Sequence, residues 1–354
     1  MSCSPPPGCP DRLQRWARRK TASTTREGPK QIAPGPPPYL DLLFWWFNWV
    51  VAQGSPMKRA SDPHARLRTA VETWAQGTVP GPLPTKWERF ADVVLLPQAA
   101  FTGPEWQVDD ALWKAVSGAL GAQRLGRVGE VSGDLRESGV VLLRGEDDWV
   151  VRREHGIDFG YRFTHCMWSA GNVTERGRIA NADHTDERVL DLYAGIGYYT
   201  LPFLSEGARG PNGERGDGRG AEHVVACEWN PEAADALRWS LNRNGFTNRC
   251  TILEGDNRNH DFKPEFDRVN LGLLPSASDG YPGALSALKE RGGVLHIHGL
   301  APGGEEAEWA AELAQDLAQI GPFDCAIEHV ENVKWYAPHQ RHIVVDVQCR
   351  PVSH

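Results

Sequence analysis

The order of hydrophobic and polar residues divides the chain after residue 57 into two parts, and the first part is residues 58–153. Here "FADVVLLP" predicts a strand and "DDALWKAVSGALGA" predicts a helix that ends at Gly121. "GVVLLRGEDDWVVRR" predicts two strands about a Gly-Glu-Asp-Asp turn. "IDFGYRFT", from Ile157 to Thr164, alternates as a half-exposed strand should. We therefore expect a small α+β N-terminal domain over residues 58–153.

From Arg188 onward, apolar strands alternate with helical segments. That order is typical of a parallel, doubly wound sheet, so we expect an α/β catalytic domain over residues 154–354. Between its first helix and second strand lies "SEGARGPNGERGDGRGAEH", residues 205–223, which is rich in Gly and Arg. This composition predicts a flexible surface insertion.

Residues 1–57 follow neither pattern and are interpreted as an atypical extension. Residues 1–38 are rich in Pro, Ser and Arg without an apolar period, which predicts disorder. "YLDLLFWWFNWVVA" is apolar but interrupted by Asp41 and Asn48, and it is shorter than the roughly 20 apolar residues that span a bilayer. A packed or atypical extension is favoured over a signal anchor cut after Ala52 or an interfacial helix. No membrane partner is expected.

Composition narrows the class of protein. The chain has 354 residues, 40% of them hydrophobic, and a formal net charge of −8, so any nucleic-acid site must be a local basic patch. Its seven cysteines are scattered singly without Cys-x-x-Cys, and local spacing therefore supplies no zinc or iron–sulfur ligand set. We expect a protein of the reducing cytoplasm that uses no metal.

Two glycines lie between a predicted strand and a predicted helix in residues 188–202, "RVLDLYAGIGYYTLP". The strand ends at Asp191, and Gly195 and Gly197 allow a tight turn that a ligand can approach closely. A nucleoside-type cofactor fits this turn. A dinucleotide fingerprint would need a third small residue where Thr200 stands, so that match is poor. A glycine turn that merely packs is the alternative.

The next two strand ends favour an adenosine ligand. Glu228 ends the second strand, where a carboxylate can accept both ribose hydroxyls. Asp256 and Asn257 end the third strand and offer an acceptor and an amide for an adenine edge. Because there is no pyrophosphate turn and no Gly-Lys-Ser/Thr, the best-fitting ligand is S-adenosylmethionine.

Seven motifs follow one another along the chain: "CMWSAGNVTERGRI", "DLYAGIGYYTLPFL", "CEWNP", "GDNR", "RVNLGLLPS", "GGVLHIH" and "KWYAPHQRHIVVDV". Together they resemble the tRNA wybutosine-synthesising protein 2 family, from about Pro84 to the C-terminus. The resemblance implies a Rossmann-like class I S-adenosylmethionine methyltransferase domain behind a small N-terminal domain. It also implies transfer of the 3-amino-3-carboxypropyl group to C7 of 4-demethylwyosine at position 37 of tRNA(Phe), which leaves 5′-methylthioadenosine.

The first motif is suited to orienting the methionine arm of the cofactor. Asn172 and Glu175 form an Asn-x-x-Glu capping box, which predicts a helix start with free backbone N–H groups for a carboxylate. Arg176 and Arg178 add charge. By the resemblance, Ser169 and Arg176 are cofactor contacts; the family commonly has lysine at position 176, so a fork replaces a point charge here.

Two residues are candidates for roles near the reacting base. Asn270 lies where related enzymes face that base, and Asp191 is the nearest candidate for a general base. Attack on a sulfonium carbon needs no paired carboxylates or metal, since positioning and the charge of the electrophile carry the step. The arm rather than the methyl group must face the nucleobase.

Two other functions stay open. A guanosine-37 N1-methyltransferase shares the scaffold, but those relatives have a shorter Asn-x-Pro segment than "NLGLLPS". A cofactor-binding protein without activity is the other, because the residues before Lys58 do not resemble the family's N-terminal part and tRNA capture rests on cationic contacts. For the leading function we expect a monomer that binds the anticodon arm of tRNA(Phe).

Overall fold

The computed structural model describes residues 62–131, 133, 135–210 and 212–352, which belong to one compact unit. The expectations for residues 1–57 lie outside the described residues. Within the described part of the chain, no helix has the length and apolar character needed to cross a membrane.

The N-terminal part contains two helices and a four-stranded sheet of order β1-β2-β3-β4, in which only β2 and β3 run parallel. Both helices begin at an aspartate whose side chain accepts a backbone N–H, and the second ends at Gly121 in the left-handed conformation. The elements are α1 (Pro63–Ala75), β1 (Glu88–Phe90), β2 (Val93–Leu96), α2 (Asp110–Leu120), β3 (Arg124–Arg127) and β4 (Val141–Arg144).

Strand β2 is buried on both faces and joins two cores. Val94 and Leu96 pack with the helices of the N-terminal part. Val93 and Leu95 instead pack into a second cluster that includes residues of the following hairpin and of the catalytic domain. Successive side chains of a strand point to opposite faces, so one short strand serves both cores.

A β-hairpin of β5 (Trp149–Glu154) and β6 (Ile157–Arg162) follows. The two strands expected in residues 139–153 both form, but they do not pair, since β4 pairs with β3 and β5 with β6. The half-exposed pattern expected for β6 is wrong, because residues 157–161 are all buried between the core and the helix packed over them. The predicted division at 153/154 falls inside this hairpin.

The catalytic domain is a seven-stranded sheet of order β12-β13-β11-β10-β7-β8-β9. Strands β7 to β11 are parallel, and β13 is antiparallel to both neighbours. The α/β expectation is confirmed. The elements are α3 (Val173–Asn181), β7 (Arg188–Asp191), α4 (Thr200–Leu204), β8 (His223–Glu228), α5 (Pro231–Asn244), β9 (Cys250–Glu254), β10 (Arg268–Leu271), α6 (Tyr281–Ala287), β11 (Gly293–Pro302), α7 (Glu306–Ile320), β12 (Phe323–Ala337) and β13 (Gln340–Pro351).

Helix α5 illustrates how local sequence signals set an element. Asn230 caps its start by accepting the Glu232 N–H, Pro231 occupies the first helical position, and Gly245 ends it at φ 77°. Its buried face includes Leu237 and Leu241. Gly160 of β6 packs against Trp239 of this helix, where a Cβ would come within 2.3 Å of the ring.

The segment 205–223 is hydrogen-bonded to the body of the domain in several places. Ala208 N donates to Asn181 Oδ1, Arg219 N donates to the Ala182 carbonyl, and Ala221 N donates to the Phe203 carbonyl. An isolated bridge between Arg209 and Arg215 encloses its tip. The flexibility expected of this segment stays a prediction; its two ends are anchored.

Candidate active site

The predicted site residues converge at the carboxyl edge of the parallel strands, where the strand order reverses between β7 and β10. The turn after β7 has Gly195 at φ 57° and Gly197 at φ 96°, a region that favours glycine. A Cβ at Gly197 would lie 2.8 Å from Leu237 Cδ1 and 3.0 Å from Leu201 Cγ. The two glycines therefore give the turn both its shape and its close packing.

Glu228 links this turn to the end of β8. Its Oε2 accepts the Gly195 N–H at 2.6 Å, and its Oε1 accepts the Asn230 N–H at 2.7 Å. Burial raises the pKa of its carboxyl, an effect that the backbone donors of Asn230 and Gly195 oppose. Each oxygen of an ionised carboxylate has a further acceptor position, so the group can still accept ribose hydroxyls.

Asp256 and Asn257 lie together after β9, as predicted. The Asp256 carboxylate accepts from the Arg258 guanidinium at 2.6 Å, and that contact lowers its pKa. Asn257 Nδ2 donates to the Leu192 carbonyl at 2.8 Å. The pair is thus tied both to its own loop and to the end of β7, and its role toward adenine stays a prediction.

Asp191 is fully buried and lies beside Asn270 on the neighbouring strand β10. Asp191 Oδ1 accepts from Asn270 Nδ2 at 2.8 Å, and Asp191 Oδ2 accepts from Thr200 Oγ1 at 2.7 Å. Burial raises the pKa of the Asp191 carboxyl. The structure therefore brings the two candidate catalytic residues into contact with each other.

The helix expected at Asn172 does begin there, as α3, but the capping box does not form. The Asn172 side chain makes no cap hydrogen bond; its Oδ1 accepts from Ser169 Oγ at 3.0 Å and its Nδ2 donates to Tyr199 Oη at 3.2 Å. Glu175 is buried and accepts from Arg178. Tertiary partners outweigh the local capping signal here.

Arg176 is 1% exposed, not a solvated surface charge. Its guanidinium binds Glu154 through two hydrogen bonds of 2.5 and 2.9 Å, donates to the Ser169 carbonyl, and lies 4.7 Å from the Trp168 ring. Arg176 thus borders the predicted site with its charge already paired. Its role as a cofactor contact stays a prediction.

Sequence reasoning missed Glu154 and Lys334 at this site. Lys334 on β12 places its Nζ 2.9 Å from Ser169 Oγ. Glu154 lies 22 residues before Arg176, and Lys334 lies 165 residues after Ser169. The sequence signal for Lys334 is its place in "KWYAPHQRH". Among the described residues, no group of three or more His, Cys, Asp and Glu side chains is arranged to hold a metal ion.

A scan against protein families matches residues 150–327 to the TRM5/TYW2 methyltransferase domain. Among curated proteins, the tRNA wybutosine-synthesizing protein 2 homolog of Bos taurus is 36% identical over an alignment 361 residues long, gaps included, that covers 84% of this chain and 80% of the relative. The tRNA wybutosine-synthesizing protein 2/3/4 of Arabidopsis thaliana is 42% identical over 275 residues, or 76% of this chain. This chain spans about a quarter of that plant relative, 26% of its length.

Solved structures agree with this match. Pyrococcus horikoshii TYW2 in complex with MeSAdo aligns with a TM-score of 0.62 and 26% identity, covering 80% of this chain and 99% of that one. M. jannaschii TYW2 in complex with AdoMet has a TM-score of 0.57 at 24% identity, covers 75% of this chain and all of that one, and supports the fold alone. The Rossmann-like fold class and the resemblance inferred from the motifs are both confirmed.

Proposed function

Because the chain belongs to the TRM5/TYW2 methyltransferase family, we propose that it transfers the 3-amino-3-carboxypropyl group of S-adenosylmethionine to C7 of 4-demethylwyosine in tRNA(Phe). The observation that carries the proposal is the 36% identity to the Bos taurus tRNA wybutosine-synthesizing protein 2 homolog across 80% of its length. The second product is 5′-methylthioadenosine. A relative that is 26% identical was solved with MeSAdo, which supports this direction of cleavage.

The residues at the sheet edge fit S-adenosylmethionine. Gly195 has a left-handed conformation, and a Cβ there would come within 2.6 Å of the Tyr198 ring, so this position excludes a side chain from the turn that we assign to the adenosyl group. In this proposal Glu228, which accepts the Gly195 N–H, also accepts the ribose hydroxyls, and Asp256 and Asn257 at the adjacent strand end contact the adenine. When bound, the sulfonium supplies the electrophilic carbon.

The chain's own contribution to the reaction is orientation. Ser169 donates to Asn172 Oδ1, and its carbonyl accepts from Arg176. Its hydroxyl also accepts from Lys334, which connects this segment to β12. Asp191 and Asn270 hold the ends of β7 and β10 in register through their mutual hydrogen bond. Positioning of this kind is what decides which of three activated carbons meets the nucleobase. Direct roles for Asn270 toward the base and for Asp191 as a proton acceptor are part of the proposal.

The partner is proposed to be the anticodon arm of tRNA(Phe), bound by a cytoplasmic monomer. Support for a tRNA comes from the names of the wybutosine-synthesizing relatives. A solved complex of aTrm5 with tRNALeu, whose protein is 22% identical to this chain, supports the fold alone. The choice of tRNA(Phe) rests on what the motif resemblance to the wybutosine-synthesising family implies.

The test uses S-adenosylmethionine labelled in one sample on the methyl group and in another on the methionine carboxyl, with tRNA that contains 4-demethylwyosine. Carboxyl label in the RNA is the expected result. Methyl label would instead make the chain a methyltransferase, and cofactor binding without either label would make it a binding protein. Transfer RNA that lacks 4-demethylwyosine serves as the control and is expected to stay unlabelled.

A further inference from the structure

Lys334 is a half-buried cation at the edge of the site that has no acidic partner among the described residues. Its Nζ donates to Ser169 Oγ at 2.9 Å. Among the described residues, no carboxylate oxygen lies within 4.0 Å of Nζ, whereas the neighbouring Arg176 is fully engaged by Glu154. The ammonium has three donor positions and Ser169 takes one, so this half-buried charge can still bind an anion.

Two local features bring Lys334 to this position. The pairing of β12 with β13 shifts register between Asn332 and Lys334, and a bulge of this kind re-aims the side chain that follows it. Gly171 then leaves the space that the lysine stem occupies, since a Cβ there would lie 2.4 Å from Lys334 Cδ and 3.1 Å from Nζ. Strand and turn are therefore shaped to let the ammonium reach Ser169.

The surroundings of Lys334 are electropositive. Burial and the nearby Arg176 charge lower the pKa of the Lys334 ammonium. Lys334 in turn acts on His342 of β13, because burial and, after it, the lysine charge lower the pKa of that imidazole to about 4. A bound carboxylate would remove this unfavourable interaction, because its charge is opposite to that of the ammonium.

We propose that Lys334, held by its hydrogen bond to Ser169 Oγ, donates a second hydrogen bond to the α-carboxylate of the methionine arm of S-adenosylmethionine and so fixes which carbon of the sulfonium faces the nucleobase. This inference rests on the proposed function. A charge-assisted hydrogen bond at the far end of the arm restrains the whole arm, so the transferred group is presented in one orientation. Lys334 thus acts as a positioning and specificity residue.

The decisive experiment compares three ligands that differ at the arm, by calorimetry without RNA. They are S-adenosylmethionine, its decarboxylated form, and 5′-methylthioadenosine, which lacks the arm. Lys334→Met should weaken S-adenosylmethionine about 10- to 100-fold, as expected for a hydrogen bond to a charged group. It should change the other two ligands by less than about twofold, because neither carries the carboxylate. Lys334→Arg, which restores the cation, should keep most of the affinity.

Lys263→Met is the matched control, since that lysine is exposed and pairs with Asp261 away from the site; it should leave all three affinities unchanged. Equal weakening of the three ligands by Lys334→Met, unchanged S-adenosylmethionine affinity, or a loss confined to tRNA binding would each overturn the assignment. If the methionine variant does not fold, Lys334→Gln gives the same comparison.

The proposed function can fail separately. A wild-type chain that bound none of the three ligands would refute the proposed function and, with it, this inference. A wild-type chain that transferred carboxyl label to tRNA, combined with a non-selective Lys334→Met variant, would refute the lysine assignment alone.

Discussion

At the scale of single residues, Glu228 both shapes the glycine turn and is the residue proposed to bind the ribose. It accepts two backbone N–H groups, from Gly195 and Asn230, and so shapes the turn. Each of its oxygens has a further acceptor position, which we assign to the ribose hydroxyls. Removing it should therefore disturb both the shape of the turn and the binding of the ligand.

Glu228→Ala should weaken S-adenosylmethionine about 100-fold or more, since hydrogen bonds to a charged acceptor contribute about 1.5–3 kcal/mol each. Glu228→Gln, which keeps one acceptor oxygen, should lose less. Glu254→Ala is the control, because Glu254 stands opposite Glu228 in the register of β8 and β9 but has an exposed side chain. Calorimetric titration measures all three variants. Unchanged affinity in Glu228→Ala would contradict the ribose assignment.

Residue types at strand ends could be predicted from the sequence, whereas their partners could not. The acids and glycines at positions 191, 195, 197 and 228 stand where the strand pattern placed them. The sequence predicts Arg176 as a charge at the cofactor site, but it does not predict the partner Glu154, which lies 22 residues earlier on a hairpin. Such pairings depend on how separate elements pack, which local spacing does not encode.

At the scale of elements, Glu187 ties β7 to β10 at the amino edge of the sheet. Its Oε1 accepts from Arg268 Nη2 at 2.7 Å, and its Oε2 lies 2.9 Å from His184 Nδ1. Although burial raises the pKa of its carboxyl, Arg268 and His184 hold that pKa at about 2. A carboxyl whose pKa is lower in the folded state than in the unfolded state stabilises the folded state when the pH is above the unfolded-state pKa.

Glu187→Gln should therefore lower the free energy of unfolding by about 2–3 kcal/mol at pH 7. The wild-type advantage should be constant above the ordinary glutamate pKa of 4.5 and shrink as the pH falls from there toward about 2. Urea unfolding at a series of pH values measures this difference. Glu265→Gln, whose carboxylate is half exposed and 3.4 Å from Arg188, is the control and should change little. A pH-independent difference would rule out the linkage.

Elements with strong local signals were predicted best. The start and end of α5 follow from Asn230, Pro231 and Gly245. The burial of β6 was predicted wrongly, because its polar-looking face is covered by α5, a partner that lies more than 70 residues later. Alternation within one strand shows which residues share a face, but it does not show whether a second layer covers it.

At the scale of the whole molecule, the N-terminal part and the catalytic domain are joined through Arg152 on β5. Its guanidinium lies 3.6 Å from the Phe90 ring and 5.1 Å from the Trp168 ring. It also donates to Glu88 of β1 and to Tyr161 of β6, both at 2.7 Å. One side chain thus contacts the N-terminal sheet, the hairpin and the segment that precedes α3.

The sequence predicted two domains but not how they share a core. The N-terminal helices and the doubly wound sheet each have a period that can be recognised alone. The contact between them involves Val93 and Leu95 on one face of β2, together with Arg152. Each of these residues fits the hydrophobic and polar pattern of its own strand, so the sequence does not mark it as a contact between domains. Contacts between layers are set by three-dimensional packing rather than by period.

Arg152→Ala should loosen this joint, because it removes a desolvated cation–π contact and leaves the Tyr161 hydroxyl without its donor. We expect a loss of about 2 kcal/mol that is confined to the N-terminal part. Hydrogen exchange followed by mass spectrometry should then show amides of β2 exchanging about 30-fold faster while those of β7 keep their protection. Arg153→Ala is the matched control, since the Arg153 side chain is 66% exposed and pairs with Asp158 within the same hairpin. Equal acceleration in β2 and β7 would show that Arg152 supports the whole fold rather than the joint.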